Sequence, residues 1–277
     1  MNVKIIVDST ADLRPELAEK VGIVPLSIQF GERTYVSGVD ITSREFYEML
    51  VESDELPTTS QPAPYLFEEA YEKAVSEGYD VVCLTCSGKL SGTHQSAIFA
   101  AAVFPGKVHV VDSGSIAIGL AILAEYALAL AEEGKSAEEI VEMLLQKREK
   151  IKILALVDTL EYLKKGGRVS STLALAGGLL NIKPVLSVIG GEIKLVGKAR
   201  GSRQGNNLLV QEIEKAGGVD FRMPVALGYT GLSDALLQKY IQASAAPSVG
   251  SVPPQSSSKS TRLSGVTFFT MLMMLVM

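Results

Sequence analysis

A chain of 277 residues with a net charge of −5 and a pI near 5.3 is long for one ordinary domain, and its acidity argues against a nucleic-acid or anionic-membrane partner. At this size roughly three quarters of the extended surface can be buried, so the fold needs no staples. The two cysteines, Cys83 and Cys86, sit together at the end of one apolar run. They make no disulfide framework and fit a cytoplasmic setting. Their C-x-x-C spacing has no second pair or His cluster beside it, and Cys83 falls inside a strand, so zinc and thioredoxin-type chemistry are set aside.

Met1-Asn2-Val3-Lys4 leads straight into the strand Val3 to Val7, so no signal peptide is expected. Asp8-Ser9-Thr10-Ala11-Asp12 follows, and Pro15 opens a helix at a position where a missing N–H does no harm. Val24 to Phe30 and Thr34 to Val39 flank Gly31-Glu32 as a hairpin. Thr42-Ser43-Arg44-Glu45 is a capping box. The stretch Leu56 to Pro64 holds three prolines, which forbid regular structure there and leave a stiff loop presenting Thr58, Thr59, Ser60 and Gln61. Helical periodicity resumes over Phe67 to Val75.

Asp80 to Ala97 organises the rest. Val81 to Leu84 is an apolar strand ending at Ser87-Gly88, and Ser91-Gly92-Thr93 opens an Ala-rich helix. A helix start offers unpaired N–H groups and a favourable dipole for an anion. Ser91 and Thr93 add hydroxyls, and Gly92 allows close approach of a ligand to the backbone. A carboxylate or phosphate receptacle is one reading; an ordinary helix cap is the other. The same pattern recurs as strand Val108 to Val111, then Asp112-Ser113-Gly114-Ser115, then the apolar helix Ile116 to Ala131. That helix contains Glu125 and falls short of the ~20 residues a membrane span needs. Ser136-x-x-Glu139 caps the next helix. Alternating strands and helices predict a doubly wound parallel sheet with Asp8/Ser9, Ser91/Thr93 and Asp112/Ser113 along one edge.

A second series begins near Lys150. It comprises Ile151 to Val157, a short helix Leu160 to Gly167, Arg168, an apolar helix Ser170 to Ala176, and a hairpin Ile182 to Ile189 and Glu192 to Gly197 around Gly190-Gly191. Lys198 to Arg203, the helix Asn206 to Ala216, the strand Met223 to Tyr229 and the helix Leu232 to Ile241 follow. Three segments result: an N-terminal α/β domain over 1–150, a C-terminal α/β domain with a mixed sheet over 151–242, and an atypical tail over 243–277. Ala243 to Arg262 holds seven serines and three prolines, a composition that builds no core, before the apolar run that ends at Met277.

Asp8-Ser9-Thr10-Ala11-Asp12-Leu13, Thr59-Ser60-Gln61-Pro62, Leu90-Ser91-Gly92-Thr93, Val111-Asp112-Ser113, Lys165-Gly166-Gly167-Arg168 and Lys198-Ala199-Arg200-Gly201 occur in this order. Together they resemble the DegV family of bacterial fatty-acid-binding proteins, over residues 1 to about 242. The resemblance implies two α/β domains holding one long-chain fatty acid between them. Its carboxylate would meet Thr59, Ser91 and Arg200; Ser60, Gly92, Thr93 and Arg168 would support the site or face a partner. It implies a ligand-binding carrier rather than an enzyme, with no metal and no cofactor beyond the bound acid. The partner would be a fatty acid kinase catalytic subunit, which phosphorylates the carboxylate for phospholipid synthesis, with room for transient contact with a membrane surface. One departure stands out. The family closes with a strand and a Gly-Thr-His-x-Gly-Pro-Gly-type segment whose His joins the head-group network, and nothing after Gln242 matches it. The expectation is an out-of-frame or otherwise aberrant end, leaving the second domain short of an edge strand.

Two other classes remain open on the residues alone. A serine hydrolase would use Ser91 with His94, although no Gly-x-Ser-x-Gly elbow is present. A phosphate or nucleotide module would use Lys165 to Arg168 and Lys198 to Arg203, although the glycine-rich nucleotide motifs are absent.

Overall fold

The computed structural model describes residues 2–53, 55–169, 182–220, 225–244, 259–262 and 271–276. Strand β1 (Val3–Asp8) leads through the single-turn helix α1 (Pro15–Ala18) to β2 (Gly22–Val24). An antiparallel excursion follows, β3 (Ser27–Phe30) and β4 (Arg33–Val36), then helix α2 (Ser43–Glu52) and β5 (Thr58–Ser60). Next come α3 (Pro64–Ser76), β6 (Asp80–Thr85), α4 (Thr93–Ala101), β7 (Val108–Asp112), α5 (Ile118–Glu132) and α6 (Ala137–Arg148). The later part runs β8 (Lys152–Val157), α7 (Glu161–Lys165), β9 (Ile182–Ile189) and β10 (Glu192–Arg200). Helix α8 (Gly201–Lys215), β11 (Ala226–Tyr229), α9 (Ala235–Ser244), β12 (Lys259–Arg262) and β13 (Met271–Val276) complete it.

Strands β2-β1-β6-β7 form a parallel sheet in that order. Its strands are apolar on both faces because both faces are covered. Ile5, Val7, Val82 and Leu84 point into one core with α5, while Ile6, Val81 and Cys83 point into another with Phe67 and Tyr71 of α3 and Ala97 and Ala100 of α4. The second sheet, β10-β9-β8-β13-β11-β12, is mixed. Its Ile153, Ala155 and Leu186 join the core that contains α5, and its Leu154, Leu156 and Val185 pack against Leu209 of α8 and Leu237 of α9. Helix α5 is apolar all round because it lies between the two sheets. Its Glu125 is held by Arg14 at 2.6 Å. Among the described residues no helix is long and apolar enough to cross a membrane.

Both capping boxes form: Glu45 N–H donates to Thr42 and Glu139 N–H to Ser136, with the reciprocal carboxylate contacts. Three expectations need correction. The segment Val24 to Phe30 is divided at Pro25: Val24 belongs to β2 in the parallel sheet, and only β3 and β4 make the hairpin. Thr58 to Ser60, expected as an irregular loop, pairs antiparallel with β3. Pro57 and Pro62 lie outside those three paired residues, so neither removes a ladder N–H. The second sheet is also not short of an edge strand: β12 occupies that edge, and β13 lies between β8 and β11, antiparallel to both. A central position pairs the backbone of this apolar run on both sides. The helix expected over Ser170 to Ala176 lies outside the described residues, as does Met223.

Candidate functional site

The carboxyl edge of the parallel sheet fixes one loop from several sides. Asp8, at the end of β1, is buried; its Oδ1 accepts the Thr10 N–H (2.9 Å) and hydroxyl (2.6 Å), and its Oδ2 accepts the Cys86 N–H (2.7 Å). Burial pushes the Asp8 carboxyl above the usual range, and the Thr10 and Cys86 hydrogen bonds oppose that rise. The Ser87 N–H donates to the Ser115 carbonyl (2.7 Å), and the Gly88 N–H to Asp112 Oδ2 (3.2 Å). From the second sheet, the Gly191 carbonyl in the β9–β10 turn accepts the Ser87 hydroxyl (2.8 Å). The loop from β6 to α4 is thereby tied to β1, to the segment after β7 and to the second sheet.

This loop delivers Ser91 to the start of α4. The capping residue is Gly92, which supplies no side-chain acceptor, so the first turn keeps anion-binding character. Ser91 Oγ accepts the Thr93 N–H (3.3 Å) and lies 2.8 Å from Thr93 Oγ1. The sequence reading puts both hydroxyls in the receptacle. The structure separates them: Ser91 is partly exposed, whereas Thr93 is fully buried behind it because its side chain turns toward the sheet.

Strand β5 brings in the second loop. Thr59 lies opposite Ile28 in the β3 ladder and is half-buried, and Gln61 then crosses the first turn of α4. Gln61 Nε2 donates to Ser96 Oγ (2.9 Å). Gly92 leaves room for this placement, since a β-carbon at position 92 would lie 1.9 Å from Gln61 Oε1 and the amide would have to move aside. The third contributor is Arg168, after α7, where Gly167 takes the left-handed conformation that ends the helix. Arg168 Nε donates to the Leu90 carbonyl (3.2 Å), and Nη1 to the Gly166 carbonyl. Both partners are neutral carbonyls, so the guanidinium charge has no carboxylate against it among the described residues.

Thr59, Ser60, Ser91, Gly92 and Arg168 line one cleft of about 510 Å³, with Gln61, Gly88, Lys89 and Leu90 completing it. Arg200 does not line it. That residue ends β10, exposed, and its N–H donates to Gln204 Oε1 (2.9 Å). Lys89 and the Leu90 carbonyl that anchors Arg168 are contributions that motif reading passes over, whereas Asp8, expected at this edge, serves as its buried tie. The one visible signal was the repetition of an Asp-Ser pair after β1 and β7.

The arrangement suits an acceptor-only group of one negative charge, which would meet hydroxyls, a helix start and Arg168. It gives little support to nucleophilic catalysis. His94 Nδ1 is 2.9 Å from Thr85 Oγ1, and the Ser91 hydroxyl is engaged with Thr93 instead. Of the two basic loops, Lys165 is paired with Glu161 (2.8 Å) and only Arg168 reaches the cleft. Among the described residues no group of three or more His, Cys, Asp or Glu could hold a metal ion.

Comparison with known proteins now adds a family. The model for "Uncharacterised protein, DegV family" matches residues 2–261. A DegV domain-containing protein of Deinococcus radiodurans is 37% identical over 217 residues, which is 78% of this chain and 77% of that one. Among solved structures, a fatty-acid-binding DegV family protein from Thermus thermophilus superposes with a TM-score of 0.87 at 30% identity, over 100% of this chain and 99% of that one. The Streptococcus pneumoniae fatty acid kinase (Fak) B3 protein, solved with linoleic acid, superposes with a TM-score of 0.85 at 28% identity, over 100% and 99%. On the extent of the family match and the identity to its curated relative, the chain belongs to the DegV family.

Proposed function

We propose that this protein binds one long-chain fatty acid, holds its carboxylate at the cleft of Thr59, Ser91 and Arg168, and presents it to a separate kinase for acyl-phosphate formation. The observation that carries the reading is the convergence of two hydroxyl-bearing loops and an acid-free guanidinium on the start of α4. The fatty acids held by the Thermus thermophilus and Streptococcus pneumoniae relatives support the ligand class. The relative named as a fatty acid kinase B3 protein supports the kinase partner.

The energetics divide the task. Each methylene leaving water contributes about 0.8 kcal/mol, so a long tail supplies on the order of 10 kcal/mol before ordering costs. Each charge-assisted hydrogen bond at the head contributes about 1.5–3 kcal/mol. The tail therefore sets affinity, and the cleft sets which end enters and what chemistry that end carries. Several lining residues are exposed, Gly88, Lys89 and Arg168 among them, so a carboxylate seated there would be within reach of a second protein.

The test is a titration of delipidated protein with oleate, followed by addition of ATP and a fatty acid kinase catalytic subunit. Saturable binding and acyl phosphate formed only with all components present support the reading. Binding without phosphorylation would remove the kinase half of it.

A further inference from the structure

The cleft is larger and more basic than a carboxylate requires. Two carboxylate oxygens fill about twice the ~30 Å³ that a water molecule occupies, whereas the cleft measures about 510 Å³. Its one apolar lining residue among those described is Leu90, so the remaining space is not shaped for more of an acyl tail. Among the described residues the lining holds two cations, Arg168 and Lys89, and no carboxylate. A head group with a single negative charge would leave one of those cations without a counter-charge.

Of the two, Lys89 is the one whose charge has no fixed partner. Its N–H donates to Ser87 Oγ (3.3 Å), which roots the residue in the loop that bridges the two sheets. Its stem lies along the β9–β10 turn, with Cδ 3.6 Å from where a β-carbon on Gly191 would stand. Among the described residues the ammonium group pairs with no carboxylate. Glu192, the next residue along that turn, is held by Lys194 at 2.5 Å. Asp112 faces Lys89 across a neighbouring cavity of about 350 Å³, and its two oxygens already accept the Gly88 and Gly114 N–H groups. A flexible, exposed stem with a fixed root and an unpaired head can follow a charge that enters the cleft.

We propose that Lys89 is a catalytic residue for the transferring phosphoryl group: Arg168 and the start of α4 hold the fatty acid carboxylate, and Lys89 meets the second negative charge, which arrives with the phosphate. In this step a carboxylate oxygen attacks the γ-phosphorus of ATP. The bond from that phosphorus to the bridging oxygen of ADP breaks, leaving acyl phosphate and ADP. No proton is exchanged, and the head group in the cleft passes from one negative charge to two. Charge spreads over the oxygens of the transferring group, so a cation beside it acts in the transition state as well as on the product. This inference rests on the fatty-acid and kinase reading of the cleft.

The experiment compares binding of oleate and of oleyl phosphate, the phosphate monoester of the same chain, to delipidated wild type, Lys89→Gln and Lys89→Arg, with no kinase present. It is run at about pH 8, above the second phosphate ionisation near pH 6, so the monoester is a dianion. Wild type is expected to bind both ligands. Lys89→Gln should lose about fivefold to tenfold in affinity for oleyl phosphate, a change of about 1–1.4 kcal/mol, with less than about a twofold change for oleate; Lys89→Arg should keep the wild-type pattern. With ATP and the kinase subunit added at saturating oleate, Lys89→Gln should slow acyl phosphate formation about tenfold or more, and Lys89→Arg should restore most of the rate. Equal loss for both ligands in Lys89→Gln, or an unchanged affinity for oleyl phosphate, overturns the assignment. So does a wild type that binds oleate and excludes oleyl phosphate. Wild type that binds neither ligand overturns the fatty-acid reading instead, a distinct result. Wild type that binds both and forms no acyl phosphate overturns the kinase reading, and this role for Lys89 with it.

Discussion

The side-chain amide of Gln61 lies directly over Gly92, so close that a β-carbon there would stand 1.9 Å from Oε1 and 2.8 Å from Cδ. Through this contact and the bond from Gln61 to Ser96, the β5 loop carrying Thr59 is held against the helix start carrying Ser91. Gly92→Ala must therefore displace Gln61 and open the cleft. Overpacking of this kind costs about 1–3 kcal/mol. The expected outcome is a loss of oleate affinity of about tenfold or more. A second substitution, Gln61→Ala, should recover most of the lost thermal stability but not the affinity. Titration and thermal unfolding of the two variants check this.

Arg168 and Arg200 make separable predictions. Removing a charge-assisted donor to the carboxylate costs about 1.5–3 kcal/mol, or roughly 10- to 150-fold in affinity. Arg168→Ala, Thr59→Ala and Ser91→Ala should each show a loss in that range. Arg200→Ala, outside the cleft lining, should stay within about threefold of wild type in binding and act, if anywhere, on phosphorylation by the kinase subunit. Calorimetric titration beside a phosphorylation assay distinguishes the two arginines. Equal loss of affinity in both would return Arg200 to the head group.

The two sheets are joined near the cleft by the Ser87 hydroxyl on the Gly191 carbonyl. Gly191 has φ +80°, and a β-carbon there would lie 2.6 Å from Ser87 Oγ. Gly191→Ala meets both a conformational and a steric penalty, on the order of 2–3 kcal/mol together. A fall in Tm of roughly 4–10 °C is expected for a chain of this size. Differential scanning calorimetry measures it.

Asp8 predicts a pH dependence of stability. Its carboxyl is raised in the folded state by burial, above the unfolded value of about 3.9. A raised carboxyl contributes stability below the unfolded pKa and loses it as pH climbs through the folded one. Wild type should therefore lose stability relative to Asp8→Asn between about pH 4 and pH 7. Urea unfolding of both proteins at the two pH values reads that change in difference, whatever the absolute cost of the amide. A difference that is constant, or that moves the other way, contradicts the burial argument.

Local chemistry made much of the fold legible. Thr42 with Glu45, and Ser136 with Glu139, announce helix starts because a capping box is complete within four residues. Gly190-Gly191 announces a turn because both glycines take positive φ. The apolar runs of β1 and β6 announce a sheet covered on both faces. Ser91 and Thr59 were legible as site residues through motifs that form their own loops. What sequence could not supply was distance across the fold. Arg168 and Arg200 end similar basic motifs, and only the Leu90 carbonyl draws the first over the cleft. Thr93 reads as one more exposed hydroxyl until the helix turns it inward. Thr58 to Ser60 become a strand because β3 offers an edge, which the prolines around them conceal. The strand Met271–Val276 depends on a gap between β8 and β11 that no local pattern reveals.

On the proposed function, a fatty acid occupies this protein with its carboxylate at Ser91. The most direct measurement is native mass spectrometry of the chain purified from bacterial cells, beside Ser91→Ala, followed by denaturation and identification of the released lipid. The expected outcome is one long-chain fatty acid per wild-type chain, released on denaturation, and a largely empty Ser91→Ala variant that remains folded. A folded wild-type chain that carries no acid and takes none up when oleate is added would contradict it.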